Sequence, residues 1–190
     1  MSPVEIVKAV ISALNSMGVP YMLVGSMSAM AYGLERSTKD ADFVVQLGNV
    51  PLARISDFLP PDFKLESQIG FETISFTTRF RINHLPTNFM IELFEVSADE
   101  HDQSRFAGRV STTYEGVATF LPRPEDVIIT KLRWSKGGKK RLEKDVGDVR
   151  AVLAVQLPLG LDLEYIRTWT KKHGTLEQFE ELLRETPRID

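Results

Sequence analysis

The chain of 190 residues contains no cysteine, and aromatic side chains make up only 9% of it. Without cysteine the protein can form no disulfide, no thiolate metal site and no cysteine nucleophile. It has three histidines, and no metal-ligand spacing links them along the sequence. These absences exclude disulfide-stabilised scaffolds and thiol chemistry, and they give no support to a histidine metal site.

An excess of charge of one sign and a long hydrophobic run are also missing. The formal net charge is −3, so no overall basic field indicates a nucleic-acid binder. Residues 1–16 carry charged residues inside their apolar pattern, which predicts neither a signal peptide nor a membrane span. Because 43% of the residues are hydrophobic, we expect one compact domain that buries a proper core. The lack of cysteine and of a membrane span predicts a cytoplasmic location and no membrane partner.

The hydrophobic periodicity changes along the chain, from mixed helices and strands to helices alone. Ser2 and Gly18 bound the first predicted helix, and Ser26 is the expected N-cap of the second. The predicted strands are 21–24, 40–47, 71–80 and 89–96, with one or two more within 110–121. Four helical patterns follow Pro122. The sequence therefore predicts an α+β fold, in which a small mixed sheet is flanked by helices, with a domain 1–121 and a helical C-terminal subdomain 122–190.

Asp40 and Asp42 lie one residue apart at the start of a predicted strand. Side chains at i and i+2 of a strand point to the same face, with Cα atoms roughly 7 Å apart. Two such carboxylates repel each other unless a cation lies between them, and Mg²⁺ prefers oxygen ligands. The pair predicts a Mg²⁺ (or Mn²⁺) site, although a solvated strand end remains an alternative.

Gly25 and Ser26 follow directly after the apolar run YMLV. A helix that starts there directs backbone N–H groups and the positive end of its dipole outward, which suits a phosphate. Gly25 allows a close approach to the backbone. Ser26 is expected to cap the helix whether or not it also contacts a phosphate.

A basic segment, residues 131–144, contains seven Lys or Arg and one Glu on an otherwise acidic chain. It is either a phosphate-attracting patch, with Trp134 as a stacking platform, or an ordinary solvated connection between two helices. Helical periodicity favours a position near the core for Trp134.

The motif Gly25-Ser26, followed after residues 27–39 by Asp40-Ala41-Asp42-Phe43, resembles the signature of the DNA polymerase beta-like nucleotidyltransferase superfamily. PEDVIITKL followed by DVGDVRAVL resembles the C-terminal helical segment of its bacterial AbiEii-type branch, which includes toxin–antitoxin nucleotidyltransferases. The resemblance extends over most of the chain, from about residue 5 to 183, and identifies 1–121 as the expected nucleotidyltransferase core.

This resemblance implies a Mg²⁺-dependent enzyme that transfers NMP from an NTP to a hydroxyl acceptor and releases pyrophosphate. The acceptor would be RNA or tRNA, a protein or a small molecule, and a cognate antitoxin protein would be a partner. The resemblance also implies that Asp40 and Asp42 hold the metal and that a third acid lies on a later strand. Glu92, on FMIELFEV, occupies that position and would complete a metal site and help to deprotonate the acceptor.

The same resemblance implies a set of nucleotide-binding residues. They are Gly25, Ser26, Lys131 and Asp148. The chain departs from the family at Met90-Ile91-Glu92, where related proteins commonly have Lys-x-Asp. Two alternatives therefore stay open: a catalytically degenerate member that binds nucleotide or a partner, and a regulatory module with a structural cation site.

Overall fold

The computed structural model describes residues 1–187, except for the side chain of Lys140, and the chain forms two compact units. Unit 1 contains Met1–Val24 and Thr38–Leu121, and unit 2 contains Gly25–Ser37 and the chain from Pro122 onward. Residues 25–37 therefore group with the C-terminal helices, whereas the sequence analysis placed them in a domain 1–121. The division into a nucleotidyltransferase core 1–121 and a helical C-terminal subdomain 122–190 stays a prediction.

Seven α-helices and eight β-strands are formed by the residues that the structure describes. The helices are α1 (Pro3–Met17), α2 (Gly25–Tyr32), α3 (Glu100–Ala107), α4 (Pro124–Ser135), α5 (Lys139–Gly160), α6 (Leu163–His173) and α7 (Leu176–Glu185). The strands are β1 (Tyr21–Val24), β2 (Asp40–Val45), β3 (Phe63–Leu65), β4 (Gly70–Glu72), β5 (Thr77–His84), β6 (Phe89–Glu95), β7 (Val110–Tyr114) and β8 (Val117–Leu121). A short 3₁₀ helix spans Leu52–Asp57.

Unit 1 is built on a six-stranded mixed sheet with the order β1-β2-β6-β5-β3, in which β4 also pairs with β5. β2 and β6 run parallel, and the other strand pairs of this sheet are antiparallel. β7 and β8 form a separate hairpin. The predicted small mixed sheet is confirmed, and so are the four helices of the last third of the chain.

The first helix begins and ends as its sequence predicts. The Ser2 hydroxyl accepts a hydrogen bond from the Glu5 backbone N–H, and the Glu5 carboxylate accepts one from the Ser2 backbone N–H. This reciprocal pair satisfies two N–H groups that have no partner inside the helix. Gly18 then ends the helix in the left-handed conformation, at φ 64°.

One face of the sheet of unit 1 is buried. Its residues lie on alternate positions of four strands and are all at most 1% exposed: Tyr21, Leu23, Ala41, Phe43, Val45, Ile82, Ile91 and Leu93. Because side chains alternate along a strand, Asp40, Asp42 and Glu92 point to the opposite face, where they are half-buried. Slipping β2 or β6 by one residue would bury the acids, so hydrophobic burial fixes their orientation.

The predicted strand 71–80 is wrong, because a turn at residues 73–76 divides it into β4 and β5. The Glu72 carboxylate accepts hydrogen bonds from the backbone N–H groups of Ile74 and Ser75 at 2.8 and 2.7 Å. Phe76 completes the turn at φ 52°. The alternating pattern is also compatible with two short strands, and a side-chain acceptor for turn amides is not visible in it.

Unit 2 has its own core, formed by α2 and α4–α7. Its fully buried side chains come from four helices: Ile128, Ile129, Leu132, Val149, Val152, Leu153, Ile166 and Phe179. Gly33, just after α2, lies so close to α5 that a Cβ there would be 3.1 Å from backbone atoms of Ala151 and Val152. Within residues 1–187, no helix combines the length and the apolar character that crossing a membrane requires.

Candidate active site

Three half-buried carboxylates lie on one face of the unit 1 sheet, beside the buried side chains of Met22, Val44 and Phe94. In the parallel pair of β2 and β6, Asp42 is directly opposite Glu92, and Asp40 is opposite Met90. Neighbouring strands are about 4.8 Å apart, so the side chains of Asp42 and Glu92 start next to each other. We call Asp40, Asp42 and Glu92, together with their neighbours Arg79 and Arg81, the acidic face.

The first acid of this group is oriented by a local hydrogen bond. The Thr38 hydroxyl donates to Oδ1 of Asp40 at 2.7 Å. The bond links the carboxylate to the residue that precedes β2 by two positions, and it favours one rotamer of Asp40. The structure therefore places both predicted aspartates on one face, as their spacing indicates.

Glu92 contacts two arginines of the adjacent strand β5. Its Oε1 atom lies 3.0 Å from Nε of Arg81 and 3.3 Å from Nη1 of Arg79. Arg81 is the register partner of Glu92 across β5 and β6. Gly70 makes room for the other arginine, because a Cβ at that position would be 3.2 Å from Nε of Arg79. Neither arginine was predicted as a site residue, although their i, i+2 spacing in TTRFRINH was a visible signal.

The acidic face has the donor chemistry that a Mg²⁺ or Mn²⁺ ion requires. Asp40, Asp42 and Glu92 supply carboxylate oxygens from neighbouring strands, and hard divalent cations prefer such ligands. Glu92 keeps 19% of its side chain exposed. The three acids therefore fit the predicted cation. Glu92 would contact the cation in addition to its two arginine partners.

Ser26 and Asp148, two of the predicted nucleotide-binding residues, meet in unit 2 through Arg36. Arg36 contacts both carboxylate oxygens of Asp148, from Nε at 2.8 Å and from Nη2 at 3.0 Å. Nη2 also donates to the Ser26 hydroxyl at 2.8 Å. The prediction that Ser26 is the N-cap is wrong, because α2 already begins at Gly25, which has φ 64°. The Ser26 hydroxyl accepts the hydrogen bond from Arg36 instead.

Lys131 lies between two acids of α5 and is only 8% exposed. Its Nζ atom is 3.0 Å from Oδ1 of Asp145 and 2.8 Å from Oδ2 of Asp148. We call Ser26, Arg36, Lys131, Asp145 and Asp148 the buried network. The phosphate role of Lys131 stays a prediction, since an internal ion pair accounts for its position.

Two cations hold the pKa of Asp148 below its ordinary value. Burial by itself raises this pKa, but the hydrogen bond from Arg36 and the charge of Lys131 outweigh it. Asp148 is therefore ionised at neutral pH. Sequence reasoning missed Arg36 and Asp145, since the contact between Arg36 and Asp148 joins residues 112 positions apart.

The basic segment 131–144 is not a single loop, because it contains the end of α4 and the start of α5. Trp134 is half-buried, and the Arg141 guanidinium lies 4.4 Å from its ring centroid. The Lys136 ammonium group donates to the His173 carbonyl at 2.6 Å. The described part of this segment thus combines internal contacts with exposed charge, and its phosphate role stays a prediction.

Comparisons with known proteins address the fold. Searches against protein-family profiles and against curated protein sequences return no match. Among solved structures, ANT(2'')-Ia in complex with adenylyl-2''-tobramycin superposes with a TM-score of 0.64 at 10% identity, covering 92% of this chain and 98% of that chain. An antigenic nucleotidyltransferase-like protein from Paracoccidioides brasiliensis gives 0.58 at 16% identity, covering 98% and 94%.

A solution structure of ANT(2'')-Ia superposes with a TM-score of 0.57 at 12% identity, covering 94% of this chain and 96% of that chain. These similarities extend over nearly the full length of both chains in each comparison. They confirm the predicted fold class, whereas the AbiEii-type branch stays a prediction. The chain has the nucleotidyltransferase fold.

Proposed function

We propose that the protein is an enzyme that transfers NMP from an NTP to a hydroxyl acceptor and releases pyrophosphate. One observation carries this proposal: Asp40, Asp42 and Glu92 lie on one sheet face, with Asp42 and Glu92 opposite each other on parallel strands. The fold supports it, because the similar solved structures include nucleotidyltransferases.

Asp40, Asp42 and Glu92 would hold Mg²⁺ or Mn²⁺ in this reaction. Divalent cations stabilise the charge that develops on phosphoryl oxygens during in-line displacement. The acceptor oxygen forms a bond to the α-phosphorus as the bond to the pyrophosphate oxygen breaks, and Glu92 accepts the hydroxyl proton. Most of the catalysis then comes from positioning and electrostatics, as is usual for transfer at phosphorus.

Gly25, Ser26, Lys131 and Asp148 remain our candidates for nucleotide binding. The first turn of α2 offers backbone N–H groups and the positive end of a helix dipole to a triphosphate. Because the Lys131 ammonium contacts two carboxylates, we assign it an indirect role. It would hold Asp148, which in turn holds Arg36 against Ser26.

The acceptor class is open to RNA or tRNA, a protein and a small molecule. ANT(2'')-Ia, which has the same fold, is described with adenylyl-2''-tobramycin, and this favours testing antibiotic hydroxyl groups among the small molecules. If the protein belongs to the AbiEii-type branch, a cognate antitoxin protein would be its partner and the cytoplasm its location.

Removing the two aspartates tests the cation site. We expect Asp40→Asn with Asp42→Asn to abolish Mg²⁺-dependent NTP binding and leave the far-UV circular dichroism unchanged. Asp57→Asn with Asp62→Asn is the matched control, because it removes the same charge from exposed positions of unit 1. NTP binding as tight as that of the wild type in the first variant would contradict the proposal.

Glu92 is tested separately, because it is assigned to proton transfer. We expect Glu92→Gln to bind Mg²⁺–NTP but to transfer NMP at least about 10²-fold more slowly, the usual scale for loss of a general base. Glu92→Asp, which keeps the carboxylate, should retain activity. A wild-type rate for Glu92→Gln would show that Glu92 is not the third catalytic acid.

A second candidate is a protein of the same fold that binds nucleotide or a partner without turnover. The contacts of Arg79 and Arg81 with Glu92 favour it, because they occupy the acid that would act as the base. Tight Mg²⁺–NTP binding without transfer to any acceptor would establish this function. A regulatory module with a structural cation site would bind the cation alone.

A further inference from the structure

We propose that Arg79 and Arg81 compete with the divalent cation for Glu92 and thereby set the cation affinity of the acidic face. This inference rests on the cation site of the proposed function. It assigns the two arginines a task of their own, as positioning residues that act through Glu92.

The contact geometry is the first argument. Both guanidinium groups approach the same oxygen, Oε1 of Glu92, at 3.0 Å from Arg81 and 3.3 Å from Arg79. Asp42, Glu92 and Arg81 are register partners on three adjacent strands. Two carboxylates and one guanidinium group therefore follow one another across the sheet. Glu92 therefore lies between a carboxylate on one side and a cationic group on the other.

The length of the side chain is the second argument. Glutamate has one methylene more than aspartate, and this extends the reach of its carboxylate by about 1.5 Å. Gly70 leaves space for the Arg79 guanidinium beside it, since a Cβ there would be 3.2 Å from Nε and 3.3 Å from Nη2. The longer acid and the missing Cβ together allow the contact between β5 and β6.

Electrostatics predict the direction in which the arginines change the cation affinity. Two guanidinium groups repel an incoming divalent cation and hold an oxygen that the cation could use as a ligand. Their side chains are 28% and 38% exposed, so solvent screens the repulsion and only a modest effect is expected. Replacing both arginines should tighten cation binding by about tenfold, whereas mere structural damage would weaken it.

The role of Glu92 in this competition can be isolated with a double-mutant cycle. In the wild type, both arginines contact Oε1 of Glu92, so Glu92→Gln should change the cation affinity by less than about threefold. Without the arginines, Glu92 becomes a full ligand and the same substitution should remove most of the tenfold gain. Independent long-range charge effects would instead be additive.

Binding of Mn²⁺ to the full chain in the absence of nucleotide tests the proposal without any assay of activity. Free Mn²⁺ is measured by electron paramagnetic resonance for the wild type, Arg79→Gln/Arg81→Gln, Glu92→Gln and the triple variant. Arg81→Gln alone should increase the Mn²⁺ affinity by a smaller factor, about threefold. This single variant replaces the double variant in the test if the double variant does not fold. Arg79→Lys/Arg81→Lys keeps the charge and should stay close to the wild type.

Arg54→Gln/Lys171→Gln is the matched control, because it removes two exposed cations outside the acidic face. Equal or weaker Mn²⁺ binding in the folded arginine variants, an equal gain in the control, or an additive cycle would overturn the inference. Asp40→Asn/Asp42→Asn separates the two proposals. Unchanged Mn²⁺ affinity there would overturn the cation site and both proposals, whereas loss of binding there with an additive cycle would overturn this inference alone.

Discussion

The acidic face of unit 1 and the buried network of unit 2 use the same chemical groups in different surroundings. On the acidic face, the side chains of Glu92 and Arg81 are 19% and 38% exposed. In the buried network, the side chains of Lys131, Asp145 and Asp148 are 10%, 4% and 7% exposed. Arg36 is the exception in that network, with 32% of its side chain exposed. Water therefore screens the charges of the acidic face and hardly reaches Lys131, Asp145 and Asp148.

This difference decides which carboxylates can change partners. A partly exposed ion pair contributes little net stability, so a carboxylate can leave its arginine for a metal ion at small cost. A buried carboxylate that loses its cation is left desolvated and unpaired, which costs several kcal/mol. We therefore infer that the acidic face provides exchangeable ligands. The buried network, in contrast, stabilises the helices of unit 2 on which its own residues lie.

The largest expected difference in stability is between two variants that each remove one cation, one from the buried network and one from the acidic face. Lys131→Met leaves Asp145 without this partner and should lower the free energy of unfolding by about 3–5 kcal/mol. Arg81→Gln, from the exposed cluster, should lower it by at most about 1 kcal/mol. Urea denaturation followed by circular dichroism measures both variants. Equal losses would remove the distinction between the two clusters.

A pair of glycines tests the packing that supports the buried network. Gly33→Ala places a Cβ 3.1 Å from the backbone of α5, so we expect a loss of about 1–3 kcal/mol from overpacking. At Gly147, inside α5, an added Cβ meets nothing within 4 Å, and Gly147→Ala should stabilise by up to about 1 kcal/mol. The same denaturation experiment decides, and destabilisation by both variants to an equal extent would contradict the close approach at Gly33.

The pH dependence of stability gives a smaller effect that is specific to the buried network. The folded pKa of Asp148 lies below its usual value of 3.8, so its contribution is complete above that pH and is lost as the pH falls through the folded pKa. Asp148→Asn cannot titrate and should flatten the acid limb of the stability curve below about pH 4. An acid limb as steep as that of the wild type would mean that other carboxylates produce it.

Local patterns predicted much of this molecule. Ser2 and Gly18 mark the ends of α1, because capping depends on residues close in sequence. The i, i+2 spacing of Asp40 and Asp42 predicted that they share one face of β2, since burial of the apolar residues fixes the other face. Both features follow from chemistry within a few residues. Glu92 was assigned from the family resemblance, and the strand register sets it opposite Asp42.

Contacts between distant segments could not be predicted in the same way. Arg36 reaches Asp148 over 112 positions, and no local period indicates that pairing. Arg79 and Arg81 were visible as an i, i+2 pair, but their partner depends on the register of β5 against β6. The turn after Glu72 depends on one carboxylate that accepts from backbone amides, which hydrophobic patterning does not report.

The most direct test of NMP transfer uses each of the four NTPs labelled at the α-phosphate, with Mg²⁺ or Mn²⁺ and with total RNA, cell lysate or an aminoglycoside as the acceptor. The wild type should move the label from one NTP to an acceptor and release pyrophosphate, and Asp40→Asn/Asp42→Asn should do neither. Transfer by that variant at the wild-type rate, or tight NTP binding by the wild type without any transfer, would contradict the proposed enzyme.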